Sequence, residues 1–159
     1  MCGFVGIASV TPVEERQALL IGNERLAHRG PDDHGVWWSE DSRVGMAHQR
    51  LSIIDLGSGS AQPMQFIRAG LTIVFNGEIY NFLELKNKLL QRGHHFETQG
   101  DTEVILVAYL EWGFDLVNQL NGMFSFAIFD QKSGVVFFAR DRIGEKPLYY
   151  CNKEKTIIL

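Results

Sequence analysis

The stretch 123–140 restricts the possible folds more than any other part of the sequence. Residues 123–130 and 135–140 read as two strands joined by Gln131-Lys132-Ser133-Gly134, a four-residue hairpin loop. Both strands carry apolar side chains on both faces: Phe124, Phe126 and Ile128 alternate with Ala127 and Phe129. A strand that is apolar on both sides must be covered on both sides. For strands joined mainly by hairpins, this requires two stacked sheets with helices outside them, an α+β architecture.

The remaining pattern supplies the other elements. Residues 4–10 form a first buried strand, and 14–27 have helical spacing through Ala18, Leu19, Ile21 and Leu26. A polar loop, His28-Arg29-Gly30-Pro31-Asp32-Asp33-His34-Gly35, precedes strands predicted at 36–38 and 44–55. In the second, Leu51 and Ile53 share one face, and His48, Arg50 and Ser52 share the other. Residues 71–75 form a strand ending at Asn76-Gly77-Glu78. Asn81 is placed to cap a helix with Glu84 three residues on, and Phe82, Leu85 and Leu89 face inward. Asp101 is placed to cap the next helix, whose residues 104–110 are apolar almost all round and therefore deeply buried. Final strands are predicted at 147–151 and 156–159.

Composition narrows the classes of function. The 159 residues suit one domain, enough to bury roughly two-thirds of the unfolded surface. The net charge of −4 is modest, and no basic stripe recommends nucleic acid as a partner. No run is long enough to span a membrane, and no signal-like segment precedes the domain. Two cysteines, Cys2 and Cys151, are too few for a disulfide framework and suit a reducing, cytoplasmic setting.

Cys2 directly follows the initiator methionine and leads into an apolar strand. If Met1 is removed, one Cα carries both a thiol and a free α-amine, with reference pKa values near 8.5 and 8. Nucleophile and general base then sit together, and no distant histidine is required. The plain alternative is a frayed terminal cysteine. Asn76-Gly77 is equally two-sided. Between apolar runs it is a strong hairpin signal, but the Asn76 amide and the Gly77 N–H also suit an oxyanion hole. Arg50 is either a solvated strand residue or a clamp for a carboxylate. Asp101 is either only a helix cap or also a partner for an ammonium group. His94-His95 near Glu97 and Asp101 match no metal-ligand spacing, so no metal is expected.

Several stretches occur together in a familiar order. They are Cys2-Gly3, His28-Arg29-Gly30-Pro31-Asp32, His48-Gln49-Arg50-Leu51-Ser52-Ile53-Ile54-Asp55, Asn76-Gly77-Glu78-Ile79-Tyr80-Asn81 and Gly100-Asp101-Thr102-Glu103-Val104-Ile105. Gly122-Met123-Phe124-Ser125-Phe126-Ala127, Arg140-Asp141-Arg142 and Lys146-Pro147-Leu148-Tyr149-Tyr150 complete the set. The chain thereby resembles the class II glutamine amidotransferase domain of glutamine-hydrolysing asparagine synthetases, with Arg50 to Asp55 resembling the synthetase branch. Gly100 departs from the serine common in that family.

The resemblance implies an N-terminal-nucleophile hydrolase fold, a four-layer αββα sandwich of two antiparallel sheets over 2–159. It implies that the domain continues past residue 159 and is followed by an ATP-dependent synthetase domain. It assigns glutamine as substrate, Cys2 as nucleophile, and Asn76 with Gly77 as the oxyanion hole. Arg50 would take the substrate α-carboxylate, Glu78 and Asp101 would lie near its α-ammonium, and Leu51, Ser52, Ile53 and Ile54 would line the pocket. This domain would need no cofactor, with ATP and magnesium belonging to the synthetase domain, and the family allows a homodimer. The alternatives are an amidotransferase of polysaccharide or natural-product synthesis, a glutamine-binding module without turnover, and an N-terminal-cysteine hydrolase of bile-salt or penicillin amides. The last typically has threonine after the cysteine, where this chain has Gly3.

Overall fold

A computed structural model of the chain describes residues 2–51 and 61–159. Two antiparallel sheets form its centre. The first contains β1 (Gly3–Ser9), β2 (Asp33–Trp38), β3 (Val44–Arg50), β8 (Cys151–Lys153) and β9 (Thr156–Ile158), in the order β2-β3-β1-β9-β8. The second contains β4 (Met64–Phe66), β5 (Leu71–Ile79), β6 (Gly122–Asp130) and β7 (Val135–Arg140), in that order. Helix α1 (Gln17–Arg25) covers the outer face of the first sheet; α2 (Phe82–Gln91) and α3 (Asp101–Trp112) cover the outer face of the second.

The alternation along each strand builds these layers. Val44 and Met46 of β3 meet Val74, Ala127 and Phe129 of the second sheet, with Phe4, Trp37 and Phe138 around them. Trp37 and Phe129 meet across the gap with ring centroids 5.8 Å apart and planes tilted by 46°. On the other face of the first sheet, Ile7 and Ala47 pack on Leu19 of α1. On the outer face of the second, Phe124, Phe126 and Ile128 pack with α2 and α3. The two-sided hairpin thus contributes to two separate cores, as its pattern requires. Every α3 residue from Thr102 to Tyr109 is buried, in keeping with the apolar run there.

Local cap signals fare differently. The Asn81 carbonyl accepts the Leu85 N–H of α2 at 3.0 Å, but its side chain makes no capping bond to that helix. Its Oδ1 accepts the Asn121 N–H at 2.9 Å and its Nδ2 donates to the Gln119 carbonyl at 2.9 Å, tying the start of α2 to the approach to β6. Gly100, rather than Asp101, is the capping position of α3, and the Asp101 carboxylate instead accepts the Ile79 N–H of β5 at 3.0 Å. Glu103 folds back from the first turn of α3 onto the N–H groups of Glu97 and Thr98, at 2.8 and 2.7 Å. For Asn81 and Asp101, a segment distant in sequence is brought close by the tertiary fold and offers partners in better positions than the helix's own. The strand expected at 147–151 begins only at Cys151, because Pro147, Leu148 and Tyr149 line a cavity instead of pairing. The strand expected at 44–55 is seen to Arg50; residues 52–60 lie outside the described part.

One close contact joins the layers, and another tightens the second sheet. His48 is fully buried, and its Nε2–H donates to the Phe75 carbonyl of the facing sheet at 3.0 Å. Burial, opposed by that hydrogen bond, pushes its pKa down to about 4, so the ring is neutral at pH 7. At the open end of the second sheet, β5 and β6 approach so tightly that a Cβ on Gly122 would lie 2.2 Å from the Glu78 carbonyl oxygen. No helix among the described residues is long and apolar enough to cross a membrane.

Two stability measurements check these contacts. Unfolded His48 binds its proton near the ordinary 6.5, whereas the folded ring resists protonation until about 4. Stability is therefore complete above pH 6.5 and falls as pH drops towards 4, by about 3 kcal/mol at 1.36 kcal/mol per pH decade. Urea titrations across that range should show His48→Gln losing less stability than the unsubstituted chain. Gly122→Ala should lower stability by about 1–3 kcal/mol at neutral pH, because β5 and β6 must separate to admit the methyl group.

Candidate active site

Cys2 precedes the first residue of β1, and β1 is paired on both edges, by β3 and by β9. Gly3 lies opposite Gln49, so Cys2 sits beside the end of β3. There the Leu51 N–H points at the sulfur at 3.4 Å, and the thiol faces the Leu51 carbonyl at 3.8 Å. The cysteine is half-buried rather than frayed. It opens into a cavity of about 180 Å³ whose polar lining includes Arg29, Asn76 and Ser125.

Asn76 and Gly77 belong to the continuous strand β5 rather than to a turn. Asn76 pairs with Ser125 and Gly77 with Phe124, in unbroken register to Ile79 opposite Gly122. The hairpin reading of this pair is therefore replaced. Thr72, Val74 and Asn76 occupy the face of β5 turned towards the other sheet, which carries the Asn76 carboxamide to the cavity beside Cys2. Asn76 is 5 % exposed, and its side chain makes no hydrogen bond among the described residues. A Cβ at Gly77 would lie 2.2 Å from the Met123 carbonyl oxygen, so close strand approach, not turn geometry, demands glycine here.

Arg50 ends β3 on the face that also carries His48. That face looked polar in the sequence, yet it is the buried interior between the sheets, and Arg50 is only 9 % exposed. Its guanidinium lies 4.0 Å from Asp33 of β2. The loop before β2 is fastened to the same strand end: the Asp32 N–H donates to the Arg50 carbonyl at 3.0 Å, and a Cβ at Gly30 would come within 2.5 Å of the Arg50 nitrogen. Of the proposed pocket-lining run, Leu51 is described. Ser52, Ile53 and Ile54 are not among the described residues.

Glu78 and Asp101 meet at the far end of β5. Burial holds the Asp101 carboxyl above its ordinary range, the Ile79 N–H opposes that shift, and the Glu78 charge adds to it. A second negative charge beside a buried carboxylate makes this corner receptive to a cation. Arg50, Gly77, Glu78 and Asp101 do not line the cavity that Cys2 and Asn76 share.

No histidine, aspartate, glutamate or lysine is found among the described residues lining that cavity. His28 turns its Nδ1 to the Arg25 carbonyl, His48 serves Phe75, and His94 pairs with Glu111. A thiol placed here has no side-chain base among the described residues lining the cavity. The sequence reading did not pick out Ser125, Arg29 or Tyr149 as lining residues. Ser125 had one legible signal, a hydroxyl in an otherwise apolar alternation on β6.

Comparison with known proteins accords with this arrangement. The family described as "Glutamine amidotransferase domain" matches residues 1–159. Asparagine synthetase [glutamine-hydrolyzing] 3 of Bacillus subtilis is 41% identical over 162 residues, covering 99% of this chain and 26% of that protein. A putative asparagine synthetase [glutamine-hydrolyzing] 2 of Methanocaldococcus jannaschii is 42% identical, covering 94% of this chain and 32% of that protein. The chain thus spans about a quarter to a third of the curated relatives it matches. Glutamine phosphoribosylpyrophosphate amidotransferase from B. subtilis shares the fold with a TM-score of 0.81 at 20% identity, covering 99% of this chain and 41% of that one. The chain belongs to the glutamine amidotransferase domain family, in its class II, N-terminal-cysteine form related to the glutaminase domains of asparagine synthetases.

Proposed function

We propose that this domain hydrolyses the side-chain amide of glutamine at Cys2, releasing glutamate and ammonia. The observation that carries the reading is a cysteine fixed at the entry of β1, in a cavity that holds Asn76 and, among the described residues, no side-chain base. After removal of Met1, the α-amine of Cys2 takes the thiol proton as sulfur attacks the carboxamide carbon. The Asn76 amide and the Gly77 N–H receive the developing oxyanion. The protonated amine then returns its proton to the leaving nitrogen, and ammonia departs. Water, deprotonated by the same amine, cleaves the thioester to give glutamate and the free thiol.

Arg50 would bind the substrate α-carboxylate, and Asp101 with Glu78 the α-ammonium, along a pocket wall that includes Leu51 to Ile54. The buried, strand-end position of Arg50 and the paired carboxylates at the far end of β5 support this division. Residues 2–159 would be the glutaminase part of a longer protein, a reading supported by the share of the named relatives they cover, and that protein would act in the cytoplasm. There the ammonia would pass to an ATP- and magnesium-dependent synthetase domain that amidates aspartate or a similar acid, and a homodimer would be one assembly. Sequence beyond residue 159 distinguishes asparagine synthesis from polysaccharide or natural-product pathways.

Four measurements test these roles. Mass spectrometry beside a glutaminase assay should find activity only in molecules that have lost Met1; full turnover with Met1 quantitatively retained contradicts the amine as base. Asn76→Ala should lower kcat by roughly 10²–10³ with KM little altered, because the lost donor serves the transition state. Arg50→Lys should raise KM by roughly ten-fold or more while leaving kcat nearly unchanged, since a point charge replaces a two-pronged clamp. Because Asp101 protonates above the usual carboxylate range, KM for glutamine should begin to rise at a higher pH than an ordinary aspartate would give as the solution is acidified. Asp101→Asn should remove that rise.

A further inference from the structure

Three buried side-chain atoms lack a hydrogen-bond partner among the described residues: Asn23 Oδ1, His48 Nδ1 and Ser125 Oγ. Of their residues, only Ser125 lines the cavity that Cys2 and Asn76 share. Ser125 is fully buried. A hydroxyl left unbonded in such a place is destabilising relative to one that is satisfied. Packing gives no reason for it either, since its neighbour on the same face of β6 is Ala127, and serine differs from alanine only by that oxygen.

The surroundings restrict what the hydroxyl can meet. In register, Ser125 lies between Asn76 of β5 and Arg140 of β7. Arg140 turns its guanidinium away to the Gly144 carbonyl at 2.8 Å. Asn76 is the directly opposed residue on the same face, where Cβ atoms of such pairs stand about 4.5–5.5 Å apart. Yet the hydroxyl forms no bond with it, although a serine rotor could turn towards it freely. The missing partner therefore comes from whatever fills the cavity. Arg50, Glu78 and Asp101 do not line this cavity, so the ligand atoms that reach Ser125 are those next to the sulfur.

We propose that the Ser125 hydroxyl hydrogen-bonds the side-chain carboxamide of bound glutamine, as a second polar contact beside Asn76 at the reacting end of the substrate. This inference rests on the Cys2 cavity being the glutamine site. A hydroxyl is both donor and acceptor, and a primary carboxamide offers both an oxygen and N–H groups, so the two are complementary in chemistry. The contact holds the carboxamide at the wall from which Asn76 projects, with its carbon towards Cys2. Serine here sacrifices stability in the empty domain for recognition in the filled one.

The test separates binding from turnover. Cys2→Ala removes the nucleophile while keeping a small second residue, and titration calorimetry with L-glutamine then reads binding alone. Adding Ser125→Ala should raise the glutamine Kd about threefold to tenfold, the effect of one hydrogen bond. The melting temperature of the unliganded Ser125→Ala protein should be unchanged or higher, because an unbonded hydroxyl has been removed. A Kd within twofold of the parent overturns the inference, as does a lower unliganded melting temperature, which would place the hydroxyl's partner within the protein. No glutamine binding to the Cys2→Ala parent also overturns it. Binding with the expected Kd change, but without hydrolysis by the protein that retains Cys2, supports the contact and counts against the glutaminase reading alone.

Discussion

The site depends on an ordered chain start. A terminal residue is ordinarily free to fray, and fixing it costs backbone entropy of about 1–2 kcal/mol per residue. Here β1 meets that cost by pairing along both edges, with β3 over six register positions from Gly3 opposite Gln49 to Ala8 opposite Val44, and with β9 near Ile7 to Ser9. Its alternating side chains serve two cores, with Phe4 and Ala8 between the sheets and Val5 and Ile7 against α1. A central strand of a two-sided sheet is among the last elements to open locally. Cys2 inherits that rigidity, as a nucleophile proposed at the second residue of the chain would need.

The second sheet supplies what faces the cysteine. The β5–β6 ladder runs unbroken from Leu71 opposite Asp130 to Ile79 opposite Gly122. It brings Asn76 and Ser125 side by side and closes so tightly at its end that Gly77 and Gly122 are both required. His48 ties this ladder to β3 through the Phe75 carbonyl, one residue before Asn76. The contact that joins the sheets is thus also adjacent to the proposed oxyanion hole. Polar groups buried in such a place are costly unless satisfied. Those left unsatisfied beside the cavity mark where a ligand is expected.

The loops are held by carboxylates used against their local tendency. Asp141 accepts the N–H groups of Phe124, Glu145 and Lys146, fastening the 141–146 turn to β6. Backbone N–H groups directed at this carboxylate hold its pKa below the usual range although burial pushes the other way. Glu103 likewise accepts the N–H groups of Glu97 and Thr98, and Asp101 accepts that of Ile79 at the end of β5. The bonds of Asp101 to Ile79 and of Asp141 to Phe124 join elements distant in sequence.

The sequence by itself determined the layered architecture, because a hairpin with large apolar residues on both faces must be buried on both faces. It also determined the deep burial of α3 and, through the order of its motifs, the family. Tertiary structure decided what local signals left ambiguous. Asn76-Gly77 has the chemistry of a tight turn, but a partner strand long enough to pair through Ile79 makes it extended. Asn81 and Asp101 carry cap signals, but closer donors on other elements claim their side chains. The alternation at His48 and Arg50 identifies a polar face without saying whether water or a second sheet lies against it. Strand patterns report that two faces differ; only the packing of one sheet on the other fixes which face is inside.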